Sequence, residues 1–302
     1  MMRCILSSLF LTLVFSAVSA QTRYIDSVFD EIDVRTFRYA IKGKDTLKLD
    51  IYEPAADTLN KRPLMVLVHG GGFYSGKRDD SYMVSMAKNI ARKGYNVASI
   101  DYRLVHDHNQ VSCHEPQKEI FKVYKKGAQD VLDALLFLTN YKTDFEIDAS
   151  KIILIGSSAG AETILNIAYN RELITKSSRH RAVKIAAVIS ISGAVFDTNT
   201  IGKDNNIPGV FYHGDKDPVV PYDKAAHHSC NVFDKGYFIL EGSKKITDKL
   251  ADLNSSFLLY TYKDRKHDIF NLPNKDLHQA FIFVRNVIYD NEFFQGRIKK
   301  TL

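Results

Sequence analysis

The pentapeptide Gly156-Ser157-Ser158-Ala159-Gly160 is the strongest chemical signal in the sequence. It follows the β-rich run 151–155 and precedes a helical stretch, which places Ser158 in a strand–turn–helix context. In so tight a turn, side chains two residues either side of the serine would collide, and glycine removes both. The pattern predicts that Ser158 is a nucleophile at the positive N-terminus of the following helix. Ser157 has the wrong offset and is interpreted as a packing or hydrogen-bonding residue.

A second signal is the segment His69-Gly70-Gly71-Gly72-Phe73, which directly follows a short apolar run. Consecutive glycines let the backbone approach a substrate closely with its N–H groups directed inward. Attack on an ester carbonyl builds negative charge on oxygen, and preorganised N–H donors stabilise that charge. We expect the donors to be the backbone N–H groups of Gly71, Gly72 and Ala159. His69 lies too close to this segment to be the base and is interpreted as structural.

The segment 212–221, Tyr-His-Gly-Asp-Lys-Asp-Pro-Val-Val-Pro, offers the carboxylate that a catalytic histidine needs for its orientation. Asp217 is preferred because the following Pro-Val-Val-Pro indicates that the loop turns back there. Asp215 is the alternative, and otherwise it is a turn-forming residue that accepts hydrogen bonds from nearby N–H groups.

The base should follow the acid, because the chain order in this kind of site is serine, acid, histidine. His267 is preferred, since it lies between the last apolar strand and the final helix. From there it can reach over the sheet to Ser158 and Asp217. The other late histidines are placed elsewhere: a pair in a helix after the acid loop that packs or faces solvent, and one on the polar side of the C-terminal helix. These are His227, His228 and His278.

Short apolar runs alternate with longer amphipathic stretches, which predicts an α/β fold with helices on both faces of a mostly parallel sheet. The predicted strands are Leu64–Val68, Val97–Ile100, Ile152–Ile155, Ala186–Ile191, Val210–Tyr212 and Phe257–Thr261. The predicted helices are Ser81–Lys93, Lys126–Asn140, Ala159–Asn170 and Lys275–Tyr289. Thr36–Ile41 and Leu47–Tyr52 predict an antiparallel hairpin at the sheet edge. Residues 21–302 are expected to form a single catalytic domain, in which the polar segments 105–125, 171–184 and 195–206 are loops that shape the pocket.

The bulk composition and the N-terminus restrict partners and compartment. The 302 residues carry a formal net charge of +6 that is scattered, without a basic stripe, so nucleic-acid binding is not expected. Arg3, the apolar run Ile5–Val18 and the small residues around Ala20 predict a signal peptide over 1–20 that is cleaved after Ala20. No later segment reads as a membrane span. We therefore expect a secreted or periplasmic protein.

Two cysteines remain after such a cleavage, Cys113 and Cys230. In an oxidising compartment an isolated pair is a candidate disulfide. Both residues follow carboxyl ends of predicted strands on the same side of the sheet, so we predict that they are bonded. Two separate thiols are the alternative.

The motifs together resemble the α/β-hydrolase superfamily, in particular carboxylesterases related to hormone-sensitive lipase and the BD-FAE group of bacterial feruloyl-esterase-like proteins. The resemblance covers about Thr36 to Tyr289 and includes Asp101-Tyr102-Arg103-Leu104 in addition to the segments above. It implies a nucleophile at Ser158, an acid at Asp217 and a base at His267, with no metal or organic cofactor. It also implies that Tyr102 and Arg103 are structural.

The resemblance implies a serine esterase that hydrolyses carboxylic esters through an acyl-enzyme, on a small-molecule or polysaccharide-linked substrate. Short acyl chains or sugar and aromatic esters are expected, because the segment before residue 36 is too short for the N-terminal cap of hormone-sensitive-lipase relatives. A formamidase-like or peptidase-like amide hydrolase would use the same triad. A hydrolase fold without activity that serves as a binding protein is the remaining alternative.

Overall fold

The computed structural model describes residues 22–269, 272 and 274–301. In that part of the chain, nine strands form one twisted sheet in the order β1-β2-β4-β3-β5-β6-β8-β11-β12. Its strands are β1 Ile32–Lys42, β2 Asp45–Pro54, β3 Arg62–Val68, β4 Asn96–Ile100, β5 Ile147–Ser157, β6 Ala187–Ile191, β8 Gly209–Gly214, β11 Phe257–Tyr262 and β12 Gln295–Lys300. A small second sheet has the order β7-β10-β9, with β7 Ala194–Val195, β9 Lys224–Ala226 and β10 Ile239–Gly242.

Helices follow most of the strands. Those of the described residues are α1 Ser81–Ala91, α2 Gln117–Asn140, α3 Ala159–Tyr169, α4 Arg171–Ile174, α5 Ser178–Ala182, α6 Ser243–Asp252 and α7 Asn274–Ile288. Single 3-10 turns occur at His108–Val111, Thr198–Thr200 and His227–Ser229.

The central strands are parallel and buried on both faces, which explains their continuous apolar sequences. Alternate residues of each strand enter two separate cores. Leu64 and Val66 of β3 pack in one core with α2, α3 and α6. Met65 and Leu67 of the same strand pack in the other core with α1 and α7. The predicted α/β-hydrolase type of fold, with helices on both faces, is confirmed.

The N-terminal strands β1 and β2 form the predicted antiparallel hairpin, with Gly43 at a positive φ of 65° in the turn. β2 pairs antiparallel with β4, so the hairpin is joined to the sheet and β1 is its outer strand.

Several elements differ from the sequence prediction. α2 begins at Gln117 and not at Lys126, because the apolar residues Ile120 and Val123 continue its buried stripe through a polar-looking segment. β12 and α6 were not predicted, since both are rich in charged residues. Lys299 and Lys300 belong to β12.

The segment 171–184 is not a loop near the pocket. It forms the short helices α4 and α5 after α3 has returned the chain to the amino ends of the strands, where Ala186 N–H bonds to Ile152 O of β5. Residues 200–205 reach the same end, because Thr200 and Asn205 contact the last residues of α3. The prediction that 171–184 and the second half of 195–206 shape the site was therefore wrong, whereas Phe196 packs against Tyr124, which lines the cavity at Ser158.

The predicted signal peptide lies outside the described residues. Within those residues, no helix combines the length and the apolar character that crossing a bilayer requires.

Candidate active site

Ser158 lies in the sharp turn between β5 and α3, at φ 51° and ψ −125°, a conformation that non-glycine residues seldom adopt. The flanking glycines make this turn sterically accessible. A Cβ on Gly156 would lie 2.5 Å from the carbonyl oxygen of Gly160, and a Cβ on Gly160 would lie 2.2 Å from that of Val68. The Ser158 N–H donates to Ile191 O of β6 at 2.8 Å, which fixes the turn to the neighbouring strand.

Three side chains that the sequence places far apart form a hydrogen-bonded chain. Ser158 Oγ is 2.8 Å from His267 Nε2, and His267 Nδ1 is 2.6 Å from Asp217 Oδ2. They extend from the carboxyl ends of β5, β8 and β11, which meet at one edge of the parallel sheet. With Nδ1–H donating to the carboxylate, Nε2 presents its lone pair to the serine hydroxyl. The arrangement can activate a serine for attack on a carbonyl carbon.

Asp217 is held by more than one element. Its Oδ1 accepts the N–H groups of Val219 and Val220 at 2.9 and 3.0 Å, and its fully buried carboxylate is also 3.5 Å from His213 Nε2. Burial alone would raise the pKa of Asp217, but the adjacent rings of His213 and His267 outweigh it and hold the pKa well below its usual range. The side chain is therefore a carboxylate at neutral pH.

The alternative acid, Asp215, stabilises a different turn. Its Oδ1 accepts the backbone N–H of Asp264 at 2.7 Å, which ties the loop after β8 to the loop after β11. This contact agrees in kind with the expectation of a turn-forming aspartate, although the N–H group that it accepts is distant in sequence.

The glycine-rich segment lies against the serine turn. A Cβ on Gly70 would be 3.4 Å from Ser158 Cβ, and Gly71 and Gly72 have positive φ angles of 106° and 59°. Within the described residues, the N–H groups of Gly71, Gly72 and Ala159 donate to no backbone or side-chain acceptor. These N–H groups are available to a ligand atom at Ser158, and their role as oxyanion donors stays a prediction.

Residues around the glycine segment support it. His69 stacks on Tyr102 with ring centroids 4.4 Å apart, and its Nδ1 is 2.8 Å from Gly70 O. Burial lowers the pKa of His69. Tyr102 donates to His69 O at 2.9 Å, while Arg103 forms a bidentate pair with the buried Asp130. The three residues interpreted as structural all make structural contacts.

The other late histidines occupy different positions, and two of them border the cavity at Ser158. His227 and His228 are in a 3-10 turn after β9, not in a helix, because His228 has a left-handed φ of 48° that ends regular structure. Their rings stack 3.9 Å apart, and burial lowers their pKa values to about 3 and about 4. The pKa of His228 is also influenced by the charges of His267, which lowers it, and Asp217, which raises it. His278 is half-buried on α7.

A small cavity of about 20 Å³ adjoins Ser158. Gly72, Phe73 and Ala159 form one part of its wall, and Val219 and Val220 form another. The remaining lining residues are Val111, Tyr124, Glu162, His227 and His228. The cavity is large enough for only a few non-hydrogen atoms of a substrate.

A disulfide joins Cys113 to Cys230, whose Cα atoms are 5.4 Å apart. It connects the loop before α2 to the turn that carries His227 and His228. The adjacent Gly236 N–H donates to Cys113 O at 2.9 Å, so both segments are held together at the rim of the site.

Comparison with known proteins gives the family. Residues 49–201, about half of the chain, match the BD-FAE family. The chain belongs to the BD-FAE family. The matched region contains the glycine-rich segment and Ser158, whereas Asp217 and His267 lie beyond it.

Individual relatives of this BD-FAE protein are distant. A 131-residue segment is 30% identical to fumonisin B1 esterase of Sphingopyxis macrogoltabida, covering 42% of this chain and 23% of that enzyme. A 143-residue segment is 24% identical to the non-reducing polyketide synthase Preu6 of Preussia isomera, covering 47% of this chain and 6% of the synthase. The chain thus corresponds to less than a quarter of either relative.

Solved structures agree on the fold. Thermogutta terrifontis esterase 2, in a form phosphorylated by paraoxon, superposes with a TM-score of 0.63 at 17% identity, over 86% of this chain and 95% of that enzyme. The same esterase is also known with propionate and with butyrate bound.

Sequence reasoning missed polar residues that surround the site of this BD-FAE chain. His213 has no role of its own in the sequence prediction, yet it is buried, and its ring contacts Asp217, Val220 and Ser243. Glu162 is a lone carboxyl in the fully buried helix α3, and that isolation among apolar neighbours was the signal that could have identified it.

Among the described residues, one group of three possible metal ligands lies together: Cys113, Cys230 and Asp234. Because the two cysteines are bonded to each other, they offer no thiolate. Nothing in this group is directed at Ser158.

Proposed function

We propose that this BD-FAE protein is a serine esterase that hydrolyses carboxylic esters through an acyl-enzyme on Ser158. The observation that carries the proposal is the hydrogen-bonded chain from Ser158 Oγ through His267 to Asp217, with contacts of 2.8 and 2.6 Å. Membership of the BD-FAE family and the similarity to fumonisin B1 esterase support the same reaction class.

In the proposed reaction, Ser158 Oγ attacks the ester carbonyl carbon while His267 Nε2 accepts the hydroxyl proton. Asp217 stabilises the resulting imidazolium. The N–H groups of Gly71, Gly72 and Ala159 would stabilise the negative charge on the carbonyl oxygen. His267 then protonates the departing alcohol, and a water molecule hydrolyses the acyl-serine by the same steps in reverse.

Short acyl groups are the proposed substrates, because the cavity beside Ser158 has a volume of only about 20 Å³. The propionate and butyrate complexes of Thermogutta terrifontis esterase 2 are compatible with this choice. Secretion is proposed as well, since a disulfide near the site is typical of an oxidising compartment.

The test is hydrolysis of p-nitrophenyl acetate by the wild-type protein and by Ser158→Ala. We expect kcat to fall by about 10⁴–10⁶-fold in the variant, with His267→Ala equally impaired and the double variant no worse, because the residues act as a unit. Ser157→Ala is the matched control and should stay within a few-fold of wild type.

A fluorophosphonate should label the wild type at Ser158 and abolish activity, which excludes a binding protein without catalysis. Turnover of p-nitroacetanilide faster than of p-nitrophenyl acetate would instead favour the amide-hydrolase alternative. A Ser158→Ala variant that is folded and fully active would refute the proposal.

A further inference from the structure

The cavity beside Ser158 is lined in part by polar side chains that the proposed reaction does not use. Tyr124, Glu162 and His227 line it together with apolar residues, and each of the three is at most 3% exposed. A cavity that only receives alkyl chains would gain nothing from these groups, because a buried polar atom without a partner costs free energy.

Glu162 lies on α3, one helical turn after Ser158. Its Oε1 accepts the hydroxyl of Tyr124 at 3.0 Å. Burial raises the pKa of Glu162 to about 8. The hydrogen bond from Tyr124 opposes this shift, and the negative charge of Asp217 adds to it by a smaller amount. At neutral pH the carboxyl group is therefore protonated, and its hydroxyl is a hydrogen-bond donor.

His227 supplies the complementary function. Its Nδ1 is 3.9 Å from Cys230 Sγ, and because that sulfur is in a disulfide it has no proton to donate. Nδ1 is thus the donor in this contact, and burial keeps the ring neutral by lowering its pKa to about 3. The lone pair is then on Nε2, which is buried and has no hydrogen-bond partner among the described residues.

We propose that this cavity binds a short acyl group that carries a hydroxyl, two or three bonds from the carbonyl carbon. One hydroxyl satisfies both polar groups, since its proton is donated to His227 Nε2 while its oxygen accepts from Glu162. An alkyl group of the same size leaves His227 Nε2 without a hydrogen-bond partner. This inference rests on the proposed esterase function and narrows its substrate class.

The first experiment compares isosteric ethyl esters in a pH-stat at pH 7. Ethyl 3-hydroxypropionate is paired with ethyl butyrate, and ethyl lactate with ethyl isobutyrate, and each rate is divided by that of hydroxide-catalysed hydrolysis. We expect kcat/KM to favour the hydroxylated ester of at least one pair by about tenfold or more. Equal or lower values for both hydroxylated esters would overturn the inference, even with the esterase function intact.

Variants test whether Glu162 carries the preference. In Glu162→Leu the hydroxyacyl preference should disappear. In Glu162→Gln it should persist, because the amide can accept from Tyr124 and still donate. In Glu162→Gln the preference should also persist above pH 8. In the wild type it should weaken there, because the carboxyl group of Glu162 ionises beside Asp217, Tyr124 and the neutral rings of His227 and His228.

Glu172→Gln, at a carboxylate on α4 that is 67% exposed, is the matched control and should leave the ratio unchanged. Retention of the preference in a folded Glu162→Leu protein would refute the assignment. Absence of turnover with every ester, p-nitrophenyl acetate included, would refute the proposed function itself, which distinguishes the two failures.

Discussion

Replacement of Asp217 by asparagine changes one atom of the proposed triad, and its effect follows from the hydrogen bonds of the two carboxylate oxygens. Oδ1 accepts two backbone N–H groups, from Val219 and Val220, so the amide oxygen of the variant must occupy that position. The amide nitrogen then replaces Oδ2, which lies 2.6 Å from His267 Nδ1.

Because an amide N–H donates, His267 Nδ1 must become the acceptor and its proton moves to Nε2. The ring then presents N–H to Ser158 Oγ at the 2.8 Å contact and cannot remove the hydroxyl proton. Substitutions that impose the wrong histidine tautomer reduce kcat by about 10⁴-fold. That loss corresponds to about 5 kcal/mol of transition-state stabilisation.

The assay is kcat for p-nitrophenyl acetate, with thermal unfolding as a check that the variant folds. Asp215→Asn is the matched control, because its amide oxygen can still accept the Asp264 N–H, and its kcat should remain within about threefold of wild type. If Asp215→Asn were the more damaging change in a well-folded protein, the assignment of the acid would be wrong.

Three further predictions concern packing, acyl length and pH. Gly160→Ala places a Cβ 2.2 Å from Val68 O and should lower Tm by about 5 °C, whereas Gly202→Ala, with only Asn205 Oδ1 at 4.0 Å, should change it little in the same thermal scan. kcat/KM for p-nitrophenyl esters should fall at least about tenfold from C4 to C12, and a steady rise would contradict the cavity argument. The raised pKa of Glu162 adds stability to the folded state that is complete below about pH 4 and is lost as pH rises to about 8. Tm of Glu162→Gln should therefore decline less than Tm of the wild type over this interval. Parallel declines of the two proteins would contradict the raised pKa.

The sequence predicts the parts of this fold whose burial is uniform. The central strands are buried on both faces, and their apolar runs mark them without ambiguity. β12 is an edge strand of sequence Gln-Gly-Arg-Ile-Lys-Lys, so neither periodicity nor apolarity identifies it. The first turns of α2 were missed for a related reason, because only one side of that segment is buried.

The site shows the same division. Ser158 and the glycine segment are recognisable because backbone geometry restricts those positions to particular residue types. Glu162, His213 and His227 are harder to assign from the sequence, since each acquires its role only when α3, β8 and the turn after β9 meet at the carboxyl edge of the sheet. Their positions depend on tertiary contacts, among them the Cys113–Cys230 bond.

The two outer strands of the large sheet bear on how the protein behaves at high concentration. β1 and β12 are largely exposed and carry charged side chains, among them Arg35, Arg38, Arg297 and Lys299, whereas β11, which β12 covers, is apolar. A sheet whose edge presents like charges resists pairing with the edge of another molecule. Lys299 and Lys300 thus oppose aggregation, and loss of β12 would expose β11, Phe-Leu-Leu-Tyr-Thr-Tyr, as a new edge able to pair with another molecule.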